Sequence, residues 1–326
     1  MKNRNLYQGL AAGIGMLLLI FDSKTALEGA RAGIDLCIRT VIPSLFPFFV
    51  LSMVLTGALM GTSLLWLRPI GALCGIPKGA EPILISAFLG GYPVGAQAAA
   101  AAWRAGYLSR KDAERMLCFC SNAGPSFLFG MVAAMFPEGK IPWLLWLIHI
   151  AGAILTGALL PGKSDSAITM PAGNRITLPD ALRSTMTVMA GVCGWVVLFR
   201  ILIAFLNRWV LWLLPMPARV IITGLLELSN GCCDLWKIPD LRVRIMAAGL
   251  MLSMGGLCVL MQTRSVTKGL SLKYYLLGKA LQTAICLVLW DMILYRHRLL
   301  GPILAVLALI LRKREKSAGI YAPSGV

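Results

Sequence analysis

Acidic residues are scarce in this chain: 14 Asp and Glu stand against 31 Lys and Arg, and there are only two histidines, His149 and His297. Charge of either sign is thin, at 14% of 326 residues, where a soluble domain carries roughly a quarter. That shortage excludes a soluble globular protein. Apolar residues fill the gap at 58%, with mean hydropathy +0.77. Enzymatic signatures are missing as well: there is no Walker A loop, no HExxH and no GxSxG. Neither histidine has a sequence neighbour that would make it a base or a ligand, so no enzyme activity, cofactor or metal is expected.

Nine cysteines lie scattered through apolar sequence, at positions 37, 74, 118, 120, 193, 232, 233, 258 and 286. An odd count without ligand spacing gives neither a disulfide framework nor a zinc site. They read as small buried hydrophobes. The net charge of +17 does not point to nucleic acid, because the basic residues form no single patch. They flank apolar segments, as topology determinants do, and the closing RKREK, 312–316, faces anionic lipid. The lipid bilayer is the expected partner, and localisation is a bacterial membrane crossed several times.

A spanning helix needs about 20 apolar residues. Stretches 6–21, 41–61, 141–160 and 184–206 approach that length, and 275–294 does so if Lys279 and Asp291 lie near its ends. The first of these reads as an uncleaved N-terminal transmembrane helix within residues 1–29, since no A-x-A site follows it. Segments 23–40 and 109–119 differ in kind. The second opens with Ser109 and Asp112, a capping box, and predicts an interfacial helix with Leu108, Met116, Leu117 and Phe119 on its apolar side. LLGPILAVLALIL, in the closing 296–326 segment, is a half-span to a short span.

A polar linker, 161–180, divides the chain almost in half, and the halves correspond. TVIPSLFPFFVLSMV, AFLGGYPVGAQ and CFCSNAGPSFLFGMV in 30–160 face TVMAGVCGWVVLFRI, LLELSNGCCDL and GLMLSMGGLCVLMQT in 181–295. Gly90-Gly91 lies opposite Ser229-Asn230-Gly231, and Ser121 lies opposite Ser253. The predicted fold is therefore an all-α polytopic membrane protein with an internal two-fold repeat and broken helices. Whether the repeat is inverted or parallel stays open at this point.

An unwound segment in hydrocarbon must face protein or water. Paired interruptions in two halves mark a transporter binding site, and exposed half-helix N-termini favour anions. The predicted substrate-binding residues are Gly90, Gly91, Tyr92, Pro93, Ser121, Asn122, Gly124, Pro125, Glu227, Ser229, Asn230, Gly255 and Gly256. Glu227, an intramembrane carboxylate, would bind a coupling ion (H+ or Na+), carry a proton or contact substrate. Arg200 is its candidate charge partner, or a partner for substrate, or snorkels to the interface.

VIPSLFPFFVLS, GGYPVGA, GYLS, SNAGPSF and ELSNG together resemble the YlbJ-type sporulation integral membrane proteins, within the wider group carrying nucleoside-recognition, or gate, domains. The resemblance covers approximately 30–295; the second half has no GYP, and its SMGG lacks the proline of SNAGP. It implies a role in endospore formation and movement of dipicolinate, a planar aromatic dianion, across the outer forespore membrane. The gate-domain likeness implies a nucleoside or nucleobase instead, held by Asn122, Asn230 and Glu227. A non-transporting scaffold for spore assembly is the third reading, and a homo-oligomer is compatible with all three.

Overall fold

The computed structural model describes residues 2–137, 139–160 and 176–295. Every regular element among them is helical. The linker residues 161–175, the closing segment 296–326 and His297 lie outside the described residues.

Helix α1 (Lys2–Phe21) ends at Asp22, whose carboxylate caps the next helix by accepting the Thr25 N–H at 3.4 Å. From there α2 (Ser23–Leu36), a π-helical turn (Cys37–Val41) and α3 (Ile42–Leu59) form one rod of 37 residues. The π turn has a local cause. Pro43 cannot close an i→i−4 bond, and just ahead of it the Ile42 N–H reaches back to the Cys37 carbonyl. The rod corrects the separation of 23–40 from 41–61. It also moves the first boundary to Asp22, and the apolar part of α1 is only the shorter Ala12–Phe21.

A short α4 (Arg68–Leu73) leads to α5 (Pro82–Ile85), which continues as a π turn (Ser86–Gly90) before α6 (Val94–Arg104). Next come α7 (Arg110–Met116), α8 (Pro125–Gly130) and the long α9 (Lys140–Leu159). The second half also opens and closes on a long helix. It consists of α10 (Leu178–Trp209), α11 (Met216–Leu226), α12 (Leu228–Cys233), α13 (Leu241–Met254), α14 (Gly256–Val266) and α15 (Lys273–Tyr295). Side-chain caps set four of these starts: Ser109 for α7, Thr177 for α10, Glu227 for α12 and Asp240 for α13. Because Thr177 caps α10, Leu178, Pro179 and Asp180 belong to a helix and not to the linker.

Five segments are long and apolar enough to cross a membrane: Ser23–Leu59, Lys140–Leu159, Leu178–Trp209, Leu241–Val266 and Lys273–Tyr295. Their outer faces carry exposed Leu51, Trp143, Leu147, Leu198, Leu276 and Ile293, a surface suited to lipid. The chain is an all-α, multi-pass integral membrane protein. By contrast, α7 is no surface helix on its apolar side, since Leu108, Met116, Leu117 and Phe119 are all buried in protein.

Small residues set the packing, as expected where lipid tails compete with side chains. A Cβ on Gly29 would lie 2.9 Å from Ile201 Cα, and one on Gly33 2.9 Å from Val197 Cα. This pairing runs α2 antiparallel to α10. Gly152 packs against Gln282 and Cys286, and the Cys286 thiol reaches the Ile148 carbonyl at 3.6 Å. Thus α9 and α15 are antiparallel too. The helices that open the two halves therefore pack on each other, as do the helices that close them.

Candidate functional site: four helix breaks around a central tyrosine

Interruptions are present in all four regions, with the third displaced: Ser229-Asn230-Gly231 lie inside α12, and the break falls at Glu227. The first is 91–93, between the π turn and α6; Gly91 has φ +81° there, in the region that favours glycine. The second is the stretch 117–124, between α7 and α8. The third is Glu227, an extended residue between α11 and α12, and the fourth is Gly255 with φ +77°, between α13 and α14.

The breaks meet in pairs. A Cβ on Gly124 would sit 3.0 Å from Gly91 N and Cα, so the first two interruptions touch backbone to backbone. A Cβ on Gly256 would sit 2.8 Å from the Leu225 carbonyl oxygen, which seats the fourth break against the third. Tyr92 joins the pairs. Its ring approaches Gly255, with 3.3 Å from Cζ to a Cβ built there, and its hydroxyl donates to the Leu252 carbonyl at 3.0 Å.

Unwound backbone inside protein needs partners, and here side chains supply them. Asn122 donates to the Phe119 carbonyl at 2.6 Å and the Ala87 carbonyl at 3.3 Å. Its own Oδ1 accepts from Gln282 Nε2 at 2.9 Å. The Ala123 N–H donates to His149 Nε2 at 3.0 Å. Lys279, buried in α15, donates to the Tyr92 hydroxyl and to Gln282 Oε1, each at 2.9 Å, and to the Ser121 carbonyl. Gly278 and Gly95 let α15 and α6 close on this stretch, leaving no room for a Cβ beside the carbonyls of Cys118 and Cys120.

In the second half the carboxylate does the same work. Glu227 accepts from the N–H groups of Ser229 at 3.2 Å and Asn230 at 2.8 Å, and from the Asn230 amide at 2.6 Å. It is the N-cap of α12. This changes the sequence expectation: the α12 N-terminus is occupied by the protein's own carboxylate and is not open to a substrate anion. Asn230 is committed to Glu227 in turn.

A cavity of ≈ 30 Å³ lies between the pairs, lined among others by Tyr92, Ala123, Gly124, Glu227, Ser229 and Gln262. A water needs about 10–15 Å³ measured this way, so the space suits two waters or a bare cation and no organic solute. The larger spaces lie elsewhere. One of ≈ 460 Å³ is bordered by Arg104, Arg183, Asp180, Ser184, Thr187 and Ser265, and one of ≈ 360 Å³ shares Gln97 and Asp180 with it. Neither shares a lining residue with the inner cavity.

Of the residues singled out in the sequence, Gly91, Tyr92, Gly124, Glu227, Ser229, Gly255 and Gly256 meet around the cavity or one another. Ser121, Asn122 and Asn230 hold the breaks beside it. Pro125 begins α8 and Pro93 precedes α6. Gly90 faces Val94 and Ser52 instead of the centre. Arg200 is no partner for Glu227: it packs on Gly29 and Gly33 of α2, and no ion pair joins it to Glu227, whose bonds go to Ser229 and Asn230. Lys279, Gln282, His149 and Gln262 are the polar residues that the sequence reading left out of the site.

Facing, interrupted helices with buried polar fillers, set in a multi-pass membrane protein, define a class built around an intramembrane polar centre. Among characterised proteins the chain is similar to the sporulation integral membrane protein YlbJ of Bacillus subtilis (strain 168), with 24% identity over 262 residues. The aligned region is 65% of this chain and 63% of that relative, so the chain spans less than two thirds of the relative's length. The motif resemblance and the full comparison therefore point the same way. No family model matches the chain, and no solved structure matches it.

Proposed function

We propose that the protein is a non-enzymatic transporter that moves a small organic anion, with dipicolinate as the first cargo to test, across the outer forespore membrane during sporulation. The likeness to a sporulation integral membrane protein supports the sporulation context, and the motif resemblance supplies the cargo. The observation that carries the transporter reading is the convergence of four buried helix breaks on one polar centre. Each break removes helical hydrogen bonds that the protein must replace, a cost of several kcal/mol per unsatisfied group in hydrocarbon. A scaffold gains nothing from that expense.

Residues 30–160 and 181–295 act as two inverted repeats in this proposal. Support comes from the antiparallel pairing of α2 with α10 and of α9 with α15, since inversion reverses the direction of equivalent helices. Alternating access follows as a rocking of one repeat against the other about Tyr92. This conformation, with room for only about two waters at the centre, is then read as an occluded state. Its water-sized cavity beside Glu227 fits a coupling ion, H+ or Na+, and the larger spaces beside Arg104 and Arg183 fit an approaching anion.

The test is flux of dipicolinate, with uridine in parallel, into proteoliposomes holding the purified protein. The expected result is dipicolinate uptake that disappears in the Asn122→Ala, Glu227→Gln double variant. Uridine uptake would replace the cargo with a nucleoside. No flux of either solute through folded protein would overturn the transporter reading and leave the scaffold.

A further inference from the structure

The cavity of ≈ 30 Å³ between the pairs of breaks has a polar lining of one kind. Glu227 and Ser229 enter it from the third break and Gln262 from α14, all of them buried. The donors around it are already committed. The Ser229 N–H, the Asn230 N–H and the Asn230 amide point at Glu227, and Tyr92, also in the lining, gives its hydroxyl proton to the Leu252 carbonyl. Gln262 turns Nε2 to the Cys258 thiol at 3.3 Å, while its Oε1 accepts no hydrogen bond among the described residues and is not sealed over by protein atoms. The Ser229 hydroxyl lies beside the carboxylate and can turn a lone pair to a cation there. Three side chains thus bring oxygen acceptors to one small space that Leu45, Phe127, Val192 and Val196 otherwise make apolar.

The charge is as one-sided as the lining. Glu227 is 2% exposed, and none of the ion pairs among the described residues includes it. Burial penalises an ionised carboxylate, yet the three N–H bonds that Glu227 accepts are those that hold it in that form. Lys279 is no counter-ion, since its hydrogens go to Tyr92, Gln282 and the Ser121 carbonyl and it does not line the cavity.

We infer that Glu227, Ser229 and Gln262 form a site for a single Na+ ion, which fills the cavity and balances the carboxylate. Two waters would fit the space and leave the charge. A proton would remove the charge and weaken the charge-assisted bonds that cap α12. A divalent ion would bring excess charge into a buried place. No cluster of three or more His, Cys, Asp or Glu exists among the described residues to hold a transition metal. Binding of Na+ stands on the cavity and its ligands; that the ion drives transport rests on the transporter reading. In that reading the ligands belong to the second half, while Tyr92, Phe127 and Leu45 of the first half close the space. Rocking the halves apart would then open the site and release the ion.

The test uses the full-length protein in nanodiscs, with equilibrium binding of radiolabelled Na+ measured in choline chloride at constant ionic strength. The expected result is saturable binding that unlabelled NaCl displaces and choline does not. Loss of one ligand to a charged group should weaken affinity about tenfold or more in Gln262→Leu, and Glu227→Gln should abolish binding. Gln262 lies within α14 and caps nothing, so Gln262→Leu keeps the outcome readable if Glu227→Gln fails to fold. No saturable Na+ binding by wild type, or undiminished affinity in either folded variant, overturns the site. Dipicolinate flux by a protein that binds no Na+, unchanged when choline replaces Na+, overturns the site and leaves the transporter. Na+ binding that both variants impair, with no flux of dipicolinate or uridine, keeps the site and removes the transporter.

Discussion

Replacing Glu227 gives the sharpest test of how the second half holds its break. The carboxylate caps α12 with two backbone bonds, from Ser229 at 3.2 Å and Asn230 at 2.8 Å, plus one from the Asn230 amide at 2.6 Å. Glu227→Ala orphans both N–H groups in a buried place beside a cavity with room for only about two waters. An unsatisfied buried donor costs about 1–3 kcal/mol, so two give a loss of about 2–6 kcal/mol, which includes the cap. Glu227→Gln keeps one acceptor oxygen and turns an NH₂ toward donors, so roughly half that loss is expected. The assay is reversible unfolding in mixed micelles titrated with SDS, followed by tryptophan fluorescence. The alanine variant should shift the folding equilibrium by about 30-fold to the order of 10,000-fold, at about 1.4 kcal/mol per tenfold, and glutamine should fall between alanine and wild type. An alanine variant within about 0.5 kcal/mol of wild type, the range of an uninvolved surface site, would refute the capping role.

Gly278→Ala would place a methyl 2.2 Å from the Cys118 carbonyl oxygen, a backbone atom that cannot step aside. It should lower folded yield by size-exclusion chromatography, whereas Gly191→Ala, with nothing within 4 Å, should not. Asn122→Ala and Gln282→Ala remove the two ends of one 2.9 Å bond, so a double-mutant cycle should show coupling of about 0.5–3 kcal/mol in the same unfolding assay. Additive losses would mean that α15 does not tie down the second break.

Much of the scaffold could be read from local chemistry. The breaks are visible because Gly, Pro, Ser and Asn cluster where apolar runs should continue, and those residues are poor helix formers for backbone reasons. Ser109 and Asp112 announced α7 for the same kind of reason. The 23–59 rod escaped notice because Lys24, Glu28, Arg31, Asp35 and Arg39 depress hydropathy without depressing helix propensity; Asp35 and Arg39 even pair one turn apart. The site was half legible. Glutamate is an uncommon N-cap, so ELSNG suggested a charge awaiting a distant partner when the partners lay two and three residues on. Lys279, Gln282 and His149 carry no local sign of their role, since what they bond is brought to them only by tertiary packing.

That packing imposes an order on synthesis. Asn122 waits for a residue 160 positions later, and Tyr92 for one 187 positions later. At about 5–20 residues per second, the ribosome needs roughly 10–40 s to deliver α15 after Tyr92 has emerged. Through that interval the nascent first half holds a polar, unwound stretch in the bilayer with its closing side chains not yet made. Insertion machinery must shelter it, and a chain cut short before residue 279 is a substrate for membrane quality control. Two separately translated halves, by the same reasoning, would mature only after they find each other.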